Sequence, residues 1–167
     1  MTVRPDPYAK TGMLTKIISG GQTGADRAAL DFAIKHKIPH GGRVPRGRMA
    51  EDGSIPDIYQ LREMRSPSYS ARTEQNVKDA DGTLIVSHGR LTGGSSYTAW
   101  MARKHSRPLL HLDMTKLDVH EAAGRVRAWL EANSIRTLNV AGPRQSTDPD
   151  IYDTTMRLLE ATVEDHY

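Results

Sequence analysis

The sequence predicts an α/β fold, a mainly parallel five-stranded sheet with helices on both faces and so three layers deep. Three observations predict it. Short apolar runs alternate with helix-period segments along the chain, the pattern of strands joined by crossover helices. The strand-like runs are almost continuously apolar, as in strands covered on both faces. Three of them end in glycine-bearing polar turns and then resume as helix: Lys16–Ser19 into Gly20–Asp26, Gly82–Ser87 into Gly93–Thr98, and Thr137–Ala141 into Gly142–Thr147. A strand, a tight turn and a helix start expose backbone N–H groups at the positive end of a helix dipole, which suits a phosphate.

Taken in order, Lys16–Ser19 reads as the first strand, and Gly24–His36 as a helix with Ala28, Ala29, Phe32 and Ala33 on one face. Ile38–Pro45 is a short extended segment broken by glycines. A long polar stretch from Arg46 to Ser68 lacks periodicity, and a loop of that length is usually functional or disordered; it is expected to be ordered over the ligand edge. Helix is expected from Ser70 to Asp79, strand from Gly82 to Ser87, and helix from about Ser95 to His105. Strand follows at Pro108–Leu112, helix at Val119–Asn133, strand at Thr137–Ala141 and helix at Pro149–Glu164. In sheets of this type ligands sit outside the carboxyl ends of the strands, and all three turns fall there.

The 167 residues suit one domain with a real core. Residues 16–167 are expected to form it, and Met1–Thr15, with Pro5, Pro7 and Gly12 and no apolar signal core, to form a flexible arm. No run of about 20 apolar residues reads as a membrane span. The absence of cysteine excludes disulfides, thiolate catalysis and cysteine metal sites, and it fits a cytoplasmic protein. The net charge of +3 is too small to argue for nucleic acid. Arginine outnumbers lysine 16 to 7, and arginine forks suit phosphate and carboxylate oxygens.

Several segments carry a family resemblance: Gly20–Arg27, Val44–Gly53, Arg72–Val77, Asp81–Ile85 and Gly93–Thr98. In this order they resemble the molybdenum-cofactor carrier family, a circularly permuted branch of a Rossmann-like nucleotide-binding superfamily. That superfamily includes the Lonely Guy phosphoribohydrolases and the DNA-processing protein A fold. Val140–Ser146 resembles the superfamily's usual opening strand and turn, here placed last. The resemblance implies a Rossmann-like three-layer sandwich, a homo-oligomer (dimer or tetramer), molybdenum cofactor as ligand and no structural metal. Arg72 and Asp81 keep a Lonely Guy-like spacing, but the Gly93–Thr98 turn is followed by Ala99, Trp100 and Met101 where those enzymes carry glutamates.

The expected ligand-binding residues are Gly20, Gly21, Gln22, Thr23, Gly24 and Asp26 of the first turn, Arg46 and Arg48 of the long loop, and Arg72 and Asn76. To these are added Gly93, Gly94, Ser95, Ser96 and Thr98 of the second turn, and Arg144 of the third. Gly93–Thr98 is the stronger phosphate candidate, since its donors exceed what one helix cap needs. Asp26 would repel a phosphate, so it is expected to orient its loop or to meet a polar group of a ribose or pterin. Arg72 and Asn76, four apart, can face one ligand. Function is thus expected to be binding of a phosphorylated pterin or nucleotide. The alternatives are N-glycosidic hydrolysis of a nucleoside monophosphate, with Asp26, Glu51, Asp52 or Glu74 as its carboxylate, and sensing of a nucleotide derivative. No histidine pattern points to a metal site, and no catalytic residue is assigned.

Overall fold

The computed structural model describes residues 14–164. Of the expected arm, residues 1–13 lie outside the described residues. Leu14 is buried in the core and Thr15 donates its N–H to Arg136 O (2.8 Å), so these two residues, expected in the arm, pack with the domain.

Five parallel strands form the central sheet: β1 (Lys16–Ile18), β2 (His40–Gly41), β7 (Gly82–Ser87), β8 (Leu109–Asp113) and β9 (Thr137–Ala141), in the order β2-β1-β9-β7-β8. The register pairs Ile17 with Leu138, Leu84 with Val140 and Ile85 with His111. Four further short strands lie between β2 and β7. β3 (Arg43–Val44) pairs in parallel with β6 (Arg62–Glu63), and β4 (Met49–Ala50) forms a hairpin with β5 (Gly53–Ser54).

The helices are α1 (Ala25–Lys35), α2 (Tyr69–Asp79), α3 (Gly93–Lys104), α4 (Val119–Ala132) and α5 (Ile151–Glu164). α1, α4 and α5 pack together on one face of the sheet, and α2 and α3 on the other. The main core lies under the first group, where Phe32, Val126, Leu130, Ile151 and Leu158 close on Ile17, Leu84, Leu138 and Val140. Each buried side chain of this size contributes roughly 1.5–3 kcal/mol by leaving water. Caps mark the starts of α2 and α4: Ser68 Oγ accepts from Ala71 N (3.3 Å) and Asp118 Oδ1 from Glu121 N (2.8 Å). α3 begins two residues earlier than its serines suggest, so Gly93 and Gly94 form its first turn. α5 begins two residues later than Pro149, because Asp148 Oδ1 first accepts the N–H of Asp150 (3.2 Å) in a separate turn.

The order of the sheet has a simple reading. If the chain is read from β9 through β1, β2 and β7 to β8, the strands stand in the order 3-2-1-4-5 of a doubly wound fold. The switch point, where connections leave in opposite directions, then falls between β9 and β7.

The 46–68 stretch is ordered around its own small core of Val44, Ala50, Ile55 and Tyr59, packed on Leu30 of α1. Arg48 holds it together. Its Nη1 donates to Leu61 O (3.3 Å), and its Nη2 reaches Ile55 O (3.2 Å), Pro56 O (3.1 Å) and Tyr59 O (3.1 Å). Arg48 therefore staples the loop from within instead of reaching for a ligand. It does so from a left-handed backbone (φ 53°), a conformation that L side chains rarely adopt and that its bonds sustain. Two tyrosines tie the loop and α5 to α1: Tyr59 and Tyr152 each donate to Asp31, at 2.5 Å.

Arg48→Met, which keeps the apolar stem and removes the donors, is expected to destabilise the fold by about 3 kcal/mol and to expose 46–61 to limited proteolysis. Thermal melting and mapped protease cuts check this; an unchanged melt would mean that the four carbonyls are satisfied without it.

Candidate functional site

A cavity of about 570 Å³ opens at the carboxyl ends of β9 and β7, the switch point of the sheet. Its volume lies within the ~300–1,000 Å³ usual for small-molecule sites. The three glycine turns converge on it: Gly20, Gln22 and Asp26 from the first, Gly93, Gly94, Ser95 and Thr98 from the second, and Gly142 and Arg144 from the third. α2 contributes Arg72 and Asn76.

The second turn offers the most to a ligand. Thr92, the residue before α3, does not cap the helix with its side chain, and the first turn holds no acidic residue. The N–H groups of Gly93, Gly94 and Ser95 therefore lack partners among the described residues, while that of Ser96 reaches Thr92 O (3.4 Å). A side chain placed on Gly93 or Gly94 would meet nothing within 4 Å. Ser95 is only 7% exposed, lines the cavity, and makes no hydrogen bond with its hydroxyl among the described residues. Thr98 lies one turn on and is spent internally, donating to Gly94 O (2.9 Å). Ser96 points away from the cavity and is exposed.

The glycines of the other turns make room for protein. A Cβ on Gly20 would lie 1.6 Å from Arg72 Nη1, one on Gly24 2.4 Å from Pro143 O, and one on Gly142 2.4 Å from Val86 O. Gly21 faces Leu61 and Ile55 of the long loop. Gly21, Thr23, Gly24 and Arg46 do not line the cavity. Thr23 donates to Glu51, whose carboxylate also accepts from Ser146 N (3.1 Å) and Ser146 Oγ (2.6 Å). The Ser146 and Thr23 hydroxyls hold the Glu51 carboxyl below its ordinary range. This carboxylate thus joins the first turn, the long loop and the third turn behind the cavity. Arg144 lies 4.0 Å from it and stays half exposed.

Arg72 is buried against the first turn. Its Nη1 donates to Gly20 O (2.9 Å) and lies 3.5 Å from Asp26 Oδ2. Asn76, one turn further on, is committed to β3, accepting from Arg43 N (2.7 Å) and donating to Arg43 O (3.1 Å). Of the two, Arg72 alone keeps a buried donor without a partner, Nε. Asp26 is 8% exposed, and burial pushes its carboxyl up to about 6 even though Arg72, Arg27 and Arg144 pull the other way. Of the four carboxylates considered for N-glycosidic hydrolysis, Asp26 alone lines the cavity. Glu51 faces Ser146, Asp52 pairs with Arg27 (3.1 Å), and Glu74 faces Lys104 (3.7 Å).

Sequence reasoning missed part of the wall. His88 follows β7, with Nδ1 2.7 Å from Asp148 Oδ2 and Nε2 3.1 Å from Thr154 Oγ1, and so joins the end of β7 to the start of α5. Asp113 fixes the next residue by accepting Gly89 N (2.8 Å); with the Thr115 hydroxyl this holds the carboxyl down at about 2. Asn139, inside β9, also lines the cavity. The signal was available for His88, which directly follows the carboxyl end of a predicted strand, and for Asp148, which directly follows the third glycine turn. Among the described residues, no group of three or more His, Cys, Asp or Glu is placed to hold a metal ion, and no helix is long and apolar enough to cross a membrane.

Sheet order and cavity together define a circularly permuted, doubly covered α/β domain with its cavity at the switch point. The chain belongs to the circularly permutated YpsA SLOG family, whose model matches residues 17–163. Among solved structures it is similar to a proposed molybdenum carrier protein from Syntrophus aciditrophicus SB, with 56% identity over 89% of this chain and 94% of that one and a TM-score of 0.89. No curated protein matches the chain.

Asp26 generates a testable pH dependence. Its carboxyl is raised in the folded state, so its contribution to stability is full below the unfolded value near 4 and is lost as pH rises through about 6. Asp26→Asn escapes that loss. Relative to the native chain, the variant should gain about 2 kcal/mol between pH 4 and pH 7, read as a melting-temperature gap that widens in its favour. A gap that stays constant with pH would mean that Asp26 titrates as an ordinary carboxylate.

Proposed function

We propose that this chain is a cytoplasmic, homo-oligomeric binding protein for a phosphorylated, nucleotide-like small molecule, and that it carries molybdenum cofactor. One observation carries the phosphate reading: three unpartnered N–H groups at the start of α3, two of them on glycines facing open space, beside the Ser95 hydroxyl, which lines the cavity without a partner among the described residues. These are donors that a phosphate monoester satisfies, at the positive end of a helix dipole. Arg72 and Arg90 add positive charge to the wall. The name of the Syntrophus relative supports the carrier reading.

Molybdenum cofactor would be cargo here. The cavity offers amides, guanidinium groups and carboxylates. Those groups fit the phosphate and the polar ring edge of such a molecule, with the α3 start holding the phosphate and the first turn facing the ring. The ordering of donors before the ligand arrives removes part of the entropy cost of binding.

Isothermal titration with molybdenum cofactor, molybdate, AMP, ADP-ribose and NAD tests the class, and two variants separate site from scaffold. Gly94→Val should abolish binding with the melting temperature within a few degrees of native, because its side chain enters open space that the phosphate needs. Ser95→Ala should weaken binding about threefold to tenfold, the worth of one hydrogen bond. Equal losses of affinity and stability in both variants, or no binding of any of the five compounds by the folded protein, would overturn the reading.

A further inference from the structure

The cavity wall is electrically mixed, with Arg72, Arg90 and Arg144 beside Asp26, Asp148 and Asp150. Such a wall does not suit a polyphosphate, whose charge would meet three carboxylates. It suits one phosphate attached to a group that donates hydrogen bonds. The carboxylates differ in what they have left to offer. Asp148 is committed, Oδ2 to His88 and Oδ1 to Asp150 N. Asp26 is not: Oδ2 accepts from Gln22 N (3.3 Å) and faces Arg72, while Oδ1 has no hydrogen-bond partner among the described residues.

Gln22 stands beside it with the complementary vacancy. Its Oε1 accepts from Thr23 N (3.1 Å) and Glu51 N (2.8 Å), which fixes the orientation of the amide. Its Nε2 amino group makes no hydrogen bond among the described residues. Both residues line the cavity and each is 8% exposed. Two buried side chains of one turn therefore present an unused acceptor and unused donors side by side. Polar groups held in place on a cavity wall with hydrogen-bonding capacity left over are the ones a ligand can use.

We infer that Gln22 and Asp26 read the edge of a 2-amino-4-oxopyrimidine ring, the ring chemistry shared by guanine and pterins, and thereby select it against adenine. That edge presents a carbonyl oxygen, a ring N–H and an exocyclic amino group in a row. The Gln22 amide donates to the carbonyl, and the Asp26 carboxylate accepts from the ring N–H and the amino group. Adenine presents an amino donor and a ring acceptor at the corresponding positions, which leaves both protein groups wrongly paired. Sites that hydrogen-bond a ligand group reject analogues lacking it strongly, because the buried protein group is left unpaired. The inference rests on the proposed function, since it takes the cavity as the ligand site, and it adds the identity of the ring and the residues that read it.

Titration calorimetry with GMP, IMP, AMP and a 6-substituted pterin phosphate tests it. IMP lacks the exocyclic amino group alone. GMP should bind about tenfold more tightly than IMP and about a hundredfold more tightly than AMP, the scale of one and two charge-assisted hydrogen bonds. In Asp26→Asn the GMP-to-IMP ratio should fall to about one. The same ratio in the native protein should shrink between pH 7.5 and pH 5, because Asp26, faced by Arg72 of α2, Arg27 of α1 and Arg144 of the third turn, takes up a proton with its carboxyl near 6.

If Asp26→Asn does not fold, Gln22→Glu serves. It keeps the two accepted bonds and places an oxygen where the ring carbonyl needs a donor, so GMP should lose its advantage over AMP. Tighter binding of the pterin phosphate than of GMP, or the reverse, supports the inference and says which source of the ring the site prefers. Equal affinity for GMP, IMP and AMP in the native protein overturns it and leaves the phosphate site standing. Binding of none of the four overturns the inference, and failure of molybdenum cofactor to bind as well overturns the proposed function.

Discussion

The cavity depends on one guanidinium laid against one glycine. Arg72 reaches from α2 to the turn after β1, donates to Gly20 O, and lies where any side chain on residue 20 would have to be. A buried arginine needs a counter-charge, and Asp26 supplies it from the first turn of α1. The pair therefore fixes the distance between a helix on one face of the sheet and a helix on the other, at the point where the sheet opens. Asn76, one turn along α2, grips the backbone of Arg43 on both sides and holds the same helix to the strand that leads into the long loop. Removal of Arg72 would leave the Asp26 carboxylate buried beside the turn without the counter-charge nearest to it.

That frame explains why the turn at the start of α3 is open. Gly20, Gly24 and Gly142 are filled by neighbouring protein, and Glu51 binds the first and third turns to the long loop from behind. The start of α3 has no such filling. Its loop is held from below by Asp113 and by the Ser87 hydroxyl on Gly89 O (2.7 Å), which leaves its amides to face the cavity. Rigid support under an unsatisfied helix start is the arrangement in which a phosphate is held without reorganisation. The permuted order of the chain does not disturb this, because the strands keep the spatial order that places β9 beside β7. The raised carboxyl of Asp26 belongs to the same balance: the fold tolerates a destabilising buried acid at the cavity, and such groups cluster where binding or chemistry needs them.

Much of the fold was legible in the sequence, and less of the site. The strands 82–87 and 137–141 read at their full length because both faces are covered and the apolar runs are continuous. The glycine turns were visible, but a glycine says only that space is needed. It does not say whether a ligand or an arginine 52 residues away will occupy that space, as at Gly20. Arg48 was misread for a related reason. A loop arginine suits a phosphate in composition, whereas its four carbonyl partners exist only once the loop has folded around it. Asn76 likewise looked available at helical spacing, and its engagement with Arg43 depends on how α2 crosses β3. Thr98 lies one turn into α3 and is spent on Gly94 O.

The most direct test of the central claim, that the start of α3 is the anion seat of this cavity, is a crystal soaked in selenate, a tetrahedral dianion, with diffraction measured at the selenium edge. Because the methionines also contain no selenium unless it is introduced, native protein gives a clean signal. The account predicts an anomalous peak within hydrogen-bonding distance of the Gly94 and Ser95 backbone nitrogens and the Ser95 hydroxyl. Peaks confined to the exposed arginines, with the α3 start bare at saturating selenate, would contradict it.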